Sequence, residues 1–491
     1  MSNKSFALRI YVIALVLRLI PVFLARGLGI GLDDMFQYDM LARSLASGNG
    51  FRWYAKEDLN QLAQFVDFDL SSVKDYDPVR GIPTSFRAPL YPTFLAIVYF
   101  FSGSGFSRFF AARLAQAVLL GAPLAPMTFF VSKKLFPPLQ VGGGSGLRSD
   151  SAARVSAWIV ACYPMLLIYP LGLGTENPFF ILLLTSFFLL LASINKPTTS
   201  YFLLSGFFLG LTALTRSVIL PFVGLAILWA WFILKQRRRA VVLLLAFALT
   251  IAPWVIRNSS LHHKLTGIET SMGYNLYLGY HPQGNGSFVF GPSLDLLTIL
   301  DDAQRDKIGT QKAIEFIRAQ PGRFLPLAIN RLGFFFGLEK RVLMYFYGNN
   351  IIGYIPLPWL LTISGILLLP FVIISISAGF GLAYLRWKPE HVLLCLLFIG
   401  YILPHVLILS EDRFHLALVP YIAILAAQVW VNGFAPLGVR WYESGLGKLI
   451  VSLALLAVFL LVINWGFELI RDADKIAQLL GPNGNQSYFP Y

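Results

Sequence analysis

Long apolar runs recur along this chain and constrain its fold more than any other feature. A helix of roughly 17 to 25 apolar residues is long enough to cross a bilayer, and we count about eleven such runs. The composition agrees, since 56% of residues are hydrophobic, 13% are charged and the mean hydropathy is +0.66. The sequence therefore predicts an all-α polytopic membrane protein whose spans lie near residues 6–28, 108–131, 152–170, 177–194, 200–215, 217–234, 240–256, 357–384, 391–409, 414–432 and 448–468.

The basic excess of the chain, 39 Lys and Arg against 25 Asp and Glu, does not indicate a nucleic-acid partner. In a polytopic protein it reflects cytoplasmic loops, which gather positive charge. Walker A, dinucleotide-binding and nucleophile-elbow motifs are all missing from the sequence, which argues against a cytoplasmic nucleotide-sugar enzyme. We predict no cofactor, and the histidines lack metal-ligand spacing. Two adjacent aspartates are nevertheless able to ligate a divalent ion, so metal dependence stays open.

The distribution of Lys and Arg among the loops predicts the orientation. Segments 133–154, 235–239 and 386–391 are basic and fall on the side of the N-terminus, which we therefore expect to be cytoplasmic. The long loops 29–107 and 257–356 are then extracytoplasmic.

Two shorter apolar segments, 87–103 and 321–337, are predicted to be interfacial helices on the extracytoplasmic side. Counting 87–103 as a span would reverse the orientation of everything after it. We expect one domain over 1–470 and a loosely ordered C-terminal tail over 471–491, which is rich in Gly, Pro, Asn and Gln.

Two adjacent carboxylates, Asp33 and Asp34, follow the first span and precede a short amphipathic helix. One of them is sufficient to cap that helix, because Asp is a favoured N-cap residue. The other remains at the boundary between water and lipid, where it is able to take a proton from an acceptor hydroxyl. The structural and the catalytic interpretations both stand on the pattern alone.

Four arginines map to the extracytoplasmic ends of spans or of the interfacial helix: Arg87, Arg216, Arg257 and Arg413. A single arginine at such a position often extends to the interface without further function. Four on the side opposite the basic loops instead suggest an anionic, lipid-linked ligand, since guanidinium binds phosphate in a bidentate manner and stays charged.

Other polar candidates are weaker. Glu176 lies between two spans on the same side and either caps the following helix, with Pro178 just inside its start, or helps to bind a sugar or an acceptor. The stretch 273–288, with Tyr274 and His281, has the aromatic and amide composition of a carbohydrate contact, although ordinary loops have it too.

Six segments of the chain resemble a known family. They are the acidic pair followed by x-x-x-Tyr and LARSLASGNGF, then FRAPLYPTFLAIVYFFSGSGFSRFFAARLAQAV, GTENPFFILLL, GLTALTRSVILP, APWVIRN and EDRFHLALVPYIAIL. Together they resemble the bacterial protein O-mannosyltransferase-like family of GT-C glycosyltransferases over most of residues 1–430. The sequence departs from the aminoarabinose-transferase branch of this family at Gln37 and Phe86, so the resemblance extends to the reaction class alone.

The resemblance implies a GT-C-type bundle in the bacterial inner membrane, with interfacial helices and an active site on the extracytoplasmic side. It implies a polyprenyl-phosphate sugar donor and a lipid, polysaccharide or protein acceptor. The implied roles are the catalytic acid for Asp33 and its acidic neighbour for Asp34, donor phosphate binding for Arg87, Arg216 and Tyr38, and an outward acid near the site for Glu176. We add Arg257, Tyr274, His281 and Arg413 as substrate-binding candidates from their positions in the sequence.

The predicted function is therefore a membrane glycosyltransferase that inverts the transferred sugar. A transporter or flippase for an anionic lipid-linked sugar is an alternative, because intramembrane charges also mark transport paths. Transporters often carry internal repeats, and this sequence shows none. A glycan polymerase or ligase that uses diphosphate lipids shares the arginines but has no need for the acidic pair.

Overall fold

The computed structural model describes residues 2–70, 73, 76–137 and 145–488, without the side chains of 145–149. Helices make up almost all of its regular structure, and one short antiparallel ribbon pairs Arg52–Trp53 with Ile82–Pro83. The prediction of an all-α polytopic membrane protein is confirmed.

All eleven predicted spans coincide with helices. Within the described residues, eight helices are long and apolar enough to cross a membrane singly, a ninth span is a bent pair, and two shorter apolar helices complete the set. In chain order they are Asn3–Leu24, Ser107–Leu135, Asp150–Cys162 with Pro164–Leu171, Glu176–Asn195, Thr199–Ala213, Ser217–Ile233, Arg237–His262, Leu357–Tyr384, Pro389–Leu407, Asp412–Asn432 and Gly445–Arg471.

The bent span turns by 53° at Tyr163, which has an extended backbone. Pro164 has no N–H to donate to the carbonyl of Val160, so the bend leaves carbonyl oxygens without helical partners. The buried guanidinium of Arg18 replaces the missing donors, 3.2 Å from Val160 O and 3.3 Å from Ala161 O. A charged residue inside the first span is therefore explained by the break in its neighbour.

The span Asp412–Asn432 lies at the centre of the bundle. Every residue from 419 to 429 is buried, so this helix is surrounded by protein on all sides. Its first residues form a 3-10 turn, Asp412–Leu418, which brings the charged side chains of the SEDRF segment to the end of the bundle that carries the long loops.

The first loop segment, 29–107, folds into helices Asp34–Ala46, Lys56–Leu62 and Leu90–Ser102. Helix Leu90–Ser102, predicted to be interfacial, packs against Asp34–Ala46 and exposes Phe100 and Phe101. Its location at a membrane surface stays a prediction.

Buried Asp39 ties this loop segment together. Its carboxylate accepts hydrogen bonds from Arg43 Nε and Arg108 Nε, each at 2.8 Å. Hydrogen bonds to charged groups are worth about 1.5 to 3 kcal/mol each, so this pairing holds the site-bearing helix Asp34–Ala46 on the bundle.

The second loop segment, 257–356, is also helical. Close packing of two of its helices requires Gly273, where a Cβ would lie 1.9 Å from Asp306 O. The elements of this segment are Met272–Tyr280, Phe290–Asp295, Asp302–Ala319, Pro321–Arg323, Phe324–Phe335, Arg341–Leu343 and Met344–Gly348.

Helix Ala435–Glu443 follows the tenth span, and the C-terminal tail follows the eleventh. The expectation that the tail is loosely ordered is wrong for its described part. It forms helix Ala473–Leu480 and the turn Gly484–Gln486, and Asn485 Nδ2 donates to Asn350 Oδ1 at 2.6 Å. Composition alone missed these contacts with the second loop segment. Residues 489–491 of the tail lie outside the described residues.

Candidate active site

A cavity of about 140 Å³ lies where the two loop segments meet the bundle. Apolar side chains including Leu28, Met165 and Phe346 form part of its wall. The charged residues and tyrosines of its lining come from segments that are far apart in the chain. They are Asp33, Asp34, Tyr38, Arg113, Tyr169, Glu176, Arg341, Tyr345 and Arg413. An apolar pocket with a few convergent polar groups is the usual form of a ligand site.

The charged side chains in and around this cavity stand at helix ends. Glu176 begins a span, and Arg413 lies in the 3-10 turn that begins another. Arg216 has an extended backbone in the break between two short helices, and Glu411 is likewise extended just before its turn. Interruptions between apolar helices thus bring the charges together at one end of the bundle.

Asp33 caps the helix that follows it, because its Oδ1 accepts a hydrogen bond from Met35 N at 2.8 Å. The same carboxyl group lines the cavity and forms no ion pair among the described residues. Its enclosure by the protein, and then the charge of Asp34, raise the pKa of the Asp33 carboxyl above its ordinary value. Asp33 therefore caps the helix and also keeps its carboxyl group facing the cavity, so the structural and the catalytic interpretations of the sequence are compatible.

Three carboxylates in this region each have an arginine partner of their own. Asp34 pairs with Arg87, Glu176 Oε1 lies 2.6 Å from Arg216 Nη1, and Glu411 Oε2 lies 2.6 Å from Arg341 Nη1. Burial opposes ionisation of Asp34, but Arg87 and then Arg413 hold the pKa of its carboxyl well below its usual range. The pKa of Asp34 and the pKa of Asp33 are therefore shifted in opposite directions.

Arg413 connects these three pairs. Its guanidinium nitrogens lie 3.3 Å from Asp34 Oδ2, 3.8 Å from Glu176 Oε1 and 2.7 Å from Glu411 Oε2. Four arginines against three paired carboxylates leave this network with one excess positive charge. That charge faces the cavity, where Asp33 also lies.

Arg87 and Arg216, predicted to bind the donor phosphate, belong to the network but not to the cavity lining. Arg87 Nε donates to Gln37 at 2.8 Å, and its guanidinium lies over the rings of Tyr38 and Phe86 at 5.3 and 5.1 Å. Their carboxylate partners separate both arginines from the cavity. Arg413 and Arg341 present their side chains to it directly.

Three further predicted site residues lie outside the cavity. Arg257 donates to Thr84 O at 2.5 Å and so holds the backbone just before Arg87. Tyr274 packs on Phe86, with its hydroxyl donating to Ser293 O at 3.0 Å. The structure therefore places Arg257 and Tyr274 one layer behind the network.

His281 is the third predicted site residue that lies outside the cavity lining. It packs against Tyr277 and Phe316, with ring centroids 5.2 and 5.6 Å away, in the second loop segment. Its Nδ1 accepts a hydrogen bond from Gln283 N at 3.3 Å.

Sequence reasoning missed two members of the network, Arg341 and Glu411. Arg341 ends the run Glu339-Lys340-Arg341, three consecutive charges next to an apolar helix. That run was a signal in a segment otherwise taken as a long loop. Glu411 stands two residues before Arg413, in the same SEDRF segment.

The described residues contain no group of three or more His, Cys, Asp or Glu side chains that could hold a metal ion. Three carboxylates of the site, those of Asp34, Glu176 and Glu411, face guanidinium groups, whose charge does not depend on pH in the physiological range.

No protein-family model matches the sequence, and no curated protein matches it. The solved structures that resemble this chain in fold include three crystal structures. The oligosaccharyltransferase of Archaeoglobus fulgidus, crystallised with zinc and sulfate, has a TM-score of 0.47 at 14% identity, covering 99% of this chain and 57% of its own. This chain thus spans little more than half of the archaeal enzyme.

The other two are crystal structures of ArnT from Cupriavidus metallidurans. With undecaprenyl phosphate bound, the TM-score is 0.39 at 12% identity, over 90% of this chain and 80% of that one. In the apo state these values are 0.35, 14%, 88% and 78%. Both proteins are GT-C glycosyltransferases, the class that the sequence motifs resemble.

Proposed function

We propose that this protein is a membrane glycosyltransferase. It would move a sugar from a polyprenyl-phosphate-linked donor to a lipid, glycan or protein acceptor, with inversion at the transferred carbon. The donor class follows from the resemblance of the sequence motifs and from the chemistry of the cavity. On the predicted orientation, the reaction takes place on the extracytoplasmic side of the bacterial inner membrane.

One observation carries the proposal: Asp33 faces the same cavity as Arg413 and Arg341. A phosphate needs cationic groups, and the network offers one positive charge beyond those paired with carboxylates. An acceptor hydroxyl needs a base, and Asp33 is the carboxyl of the cavity that forms no ion pair among the described residues. Both requirements of the transfer are met within one cavity.

The departure of the lipid phosphate is the step that the arginines would assist. The bond between the sugar carbon and the phosphate oxygen breaks, and its electron pair goes to the phosphate. Donors aimed at developing charge stabilise a transition state strongly, typically by 10²–10³-fold in kcat for each donor. Arg413 would contact the leaving phosphate, with Arg341 beside it. Arg87 and Arg216 would fix the carboxylates around them.

Asp33 would act as the general base. As the acceptor oxygen bonds to the sugar carbon, its proton passes to the Asp33 carboxylate and later to water. A raised pKa makes this carboxylate a better proton acceptor than an ordinary one. Attack opposite to the leaving phosphate in a single displacement gives inversion. Asp34 and Glu176 would hold the sugar or the acceptor.

Asp33→Asn tests the proposal with the helix cap preserved, because Asn is as good an N-cap as Asp. The purified full-length protein is assayed in detergent with a panel of synthetic polyprenyl-phosphate monosaccharides and a membrane extract as acceptor source. We expect loss of transfer by two orders of magnitude or more, with donor binding retained.

Asp301→Asn is the matched control, since Asp301 caps helix Asp302–Ala319 with bonds of 2.8 and 2.9 Å to Ala303 N and Gln304 N. It changes the same chemical group at a cap away from the cavity and should keep full activity. Unaltered turnover of Asp33→Asn would refute the proposal. Movement of lipid-linked sugar across vesicles without transfer would support a flippase, and chain elongation from a diphosphate lipid would support a polymerase.

A further inference from the structure

A buried polar cluster lies inside the bundle, next to the cavity but not in its lining. Glu339 Oε1 accepts a hydrogen bond from the Tyr163 hydroxyl at 2.6 Å and lies 2.9 Å from His415 Nε2. All three side chains are almost completely excluded from solvent, and the His415 ring stacks on Phe371 with centroids 3.9 Å apart.

The hydrogen bonds of His415 indicate where the protons of the Glu339–His415 pair lie. His415 Nδ1 lies 2.7 Å from Phe335 O, and since a carbonyl only accepts, Nδ1 carries a proton. The proton between Nε2 and Glu339 Oε1 then belongs either to an imidazolium facing a carboxylate or to a carboxylic acid facing a neutral ring. Both forms join the two side chains by a strong hydrogen bond.

Burying such a pair costs desolvation free energy. Replacing a buried ionic pair with apolar residues of similar volume is often neutral or stabilising, so stability alone is a weak reason for its presence. A better-attested role of buried polar pairs is to hold two segments of the chain in one particular arrangement. The positions of Glu339 and His415 indicate which two segments they hold.

The same two segments carry the arginines that line the cavity. Glu339 stands two residues before Arg341, and His415 stands two residues after Arg413. Both arginines contact one carboxylate oxygen, Glu411 Oε2, at 2.6 and 2.7 Å. Arg413 and His415 lie in one 3-10 turn, where side chains two positions apart point in different directions. Glu339 lies in the irregular segment just before helix Arg341–Leu343. Each segment thus holds one member of the buried pair and contributes one arginine to the cavity lining.

The backbone around Glu339 is held from a second side. Leu338 N donates to Glu468 Oε2 at 2.9 Å, and Lys340 Nζ lies 2.6 Å from Glu468 Oε1. Residues 338–340 are thus fixed by the eleventh span, by the bent span and by the turn that contains His415. Arg341 follows directly from this anchored segment.

We propose that Glu339 and His415 are positioning residues whose buried contact fixes Arg341 and Arg413 at the spacing that receives the donor phosphate. The inference rests on the proposed function and adds to it. Neither residue touches the substrate. Their effect on phosphate binding passes through the two arginines, and it disappears when Arg341 is already absent.

A double-mutant cycle tests this dependence on the full-length protein in detergent, with undecaprenyl phosphate as the probe. We expect Arg341→Ala to weaken binding by about tenfold, the effect of one charge-assisted hydrogen bond. Glu339→Ala should weaken it by a similar factor. The double variant should bind no more than about twofold worse than either single one, because coupled residues are not additive.

Three further variants separate positioning from general damage. Glu339→Gln should restore binding, since its amide N–H groups are able to donate to His415 Nε2 and to the Tyr163 oxygen. His415→Ala should repeat the loss. His391→Ala removes a buried histidine that bonds to Leu135 O at 3.0 Å at the opposite end of the bundle. It should lower the melting temperature and leave binding unchanged.

Each result has a definite meaning. Losses that multiply in the double variant, or equal losses in His391→Ala and His415→Ala, overturn the positioning role while the proposed function stands. If Glu339→Ala does not fold, the same cycle is run with His415→Ala. Failure of the wild-type protein to bind the probe overturns the proposed function, and this inference with it.

Discussion

Arg413→Met should reduce activity far more than it reduces stability. Arg413 lies within ion-pair distance of Asp34, Glu176 and Glu411, but each of these keeps a second arginine when Arg413 is removed. Two of the three contacts are also long, at 3.3 and 3.8 Å. The variant therefore loses one close ion pair, the 2.7 Å contact with Glu411, and one hydrogen bond, which Nη2 donates to Asp34 Oδ2 at 3.3 Å.

The size of the stability loss follows from these two contacts. A hydrogen bond to a charged group contributes about 1.5 to 3 kcal/mol, and the bond to Asp34 is long, at 3.3 Å. The side chain is one-fifth exposed, so solvent screens part of the interaction, and removing a desolvated cation returns some free energy. We expect a net loss of about 1 to 2 kcal/mol of the free energy of unfolding. Met fills a similar volume, which limits any additional cavity term.

The loss of activity has another origin. Without Arg413 the three remaining ion pairs carry no excess positive charge, and the leaving phosphate loses a donor worth about 2.7 to 4 kcal/mol in the transition state. Sugar transfer should therefore fall by a factor of 10²–10³. Melting in detergent and the rate of transfer are measured on the same preparation, so that the two effects are compared directly.

Arg216→Met is the matched comparison. Its removal leaves buried Glu176 with Arg413 alone, at 3.8 Å, and breaking a buried pair in this way costs about 3 to 5 kcal/mol. Arg216→Met should therefore melt at a lower temperature than Arg413→Met. Near-normal transfer by Arg413→Met, or a stability loss larger than that of Arg216→Met, would show that the charge count is not what matters here.

Three other measurements examine separate features. Transfer should fall as the pH drops through the raised pKa of Asp33, and because Arg341 lowers that pKa, Arg341→Gln should move this acid limb to higher pH in a pH–rate profile; an unchanged limb would contradict Asp33 as the base. Arg18→Met should destabilise the protein by about 1 to 3 kcal/mol in thermal melts, since carbonyls at the bend lose their donors; equal melting would contradict this explanation of the buried charge. In a cysteine-free background, a cysteine at exposed Val79 should react with an impermeant maleimide in intact cells and one at exposed Trp387 should not; the reverse pattern would place the site in the cytoplasm.

The spans were predictable because hydropathy is a local property. Eight of the described helices are each long and apolar enough to cross a bilayer singly, and every predicted run coincides with a helix. The ends shifted by a few residues: the first span runs from Asn3 to Leu24 instead of 6–28, because Gly27 and Gly29 follow its true end. The helix after Asp33 was predictable for the same reason, since an N-cap acts on the next three residues.

The ion pairs were not predictable in this way. Asp34 and Arg413 are 379 residues apart, and nothing in either local sequence specifies the other. From the sequence, any arginine near the predicted extracytoplasmic side of the membrane is a candidate phosphate ligand. It does not distinguish an arginine that already faces a carboxylate, such as Arg216, from one that faces a cavity.

On the proposed function, the arrangement of the pairs explains why so many charges gather at a site for one anion. A single arginine in an apolar cavity would be costly to bury, and it would be mobile. Here Arg413 is surrounded by carboxylates whose charge is balanced by other arginines, so its position is fixed while its charge remains in excess. Preorganised charge of this kind stabilises a leaving phosphate without reorganising during the reaction. On the proposed function, Arg87 and Arg216 would serve the phosphate indirectly, through the carboxylates that hold Arg413.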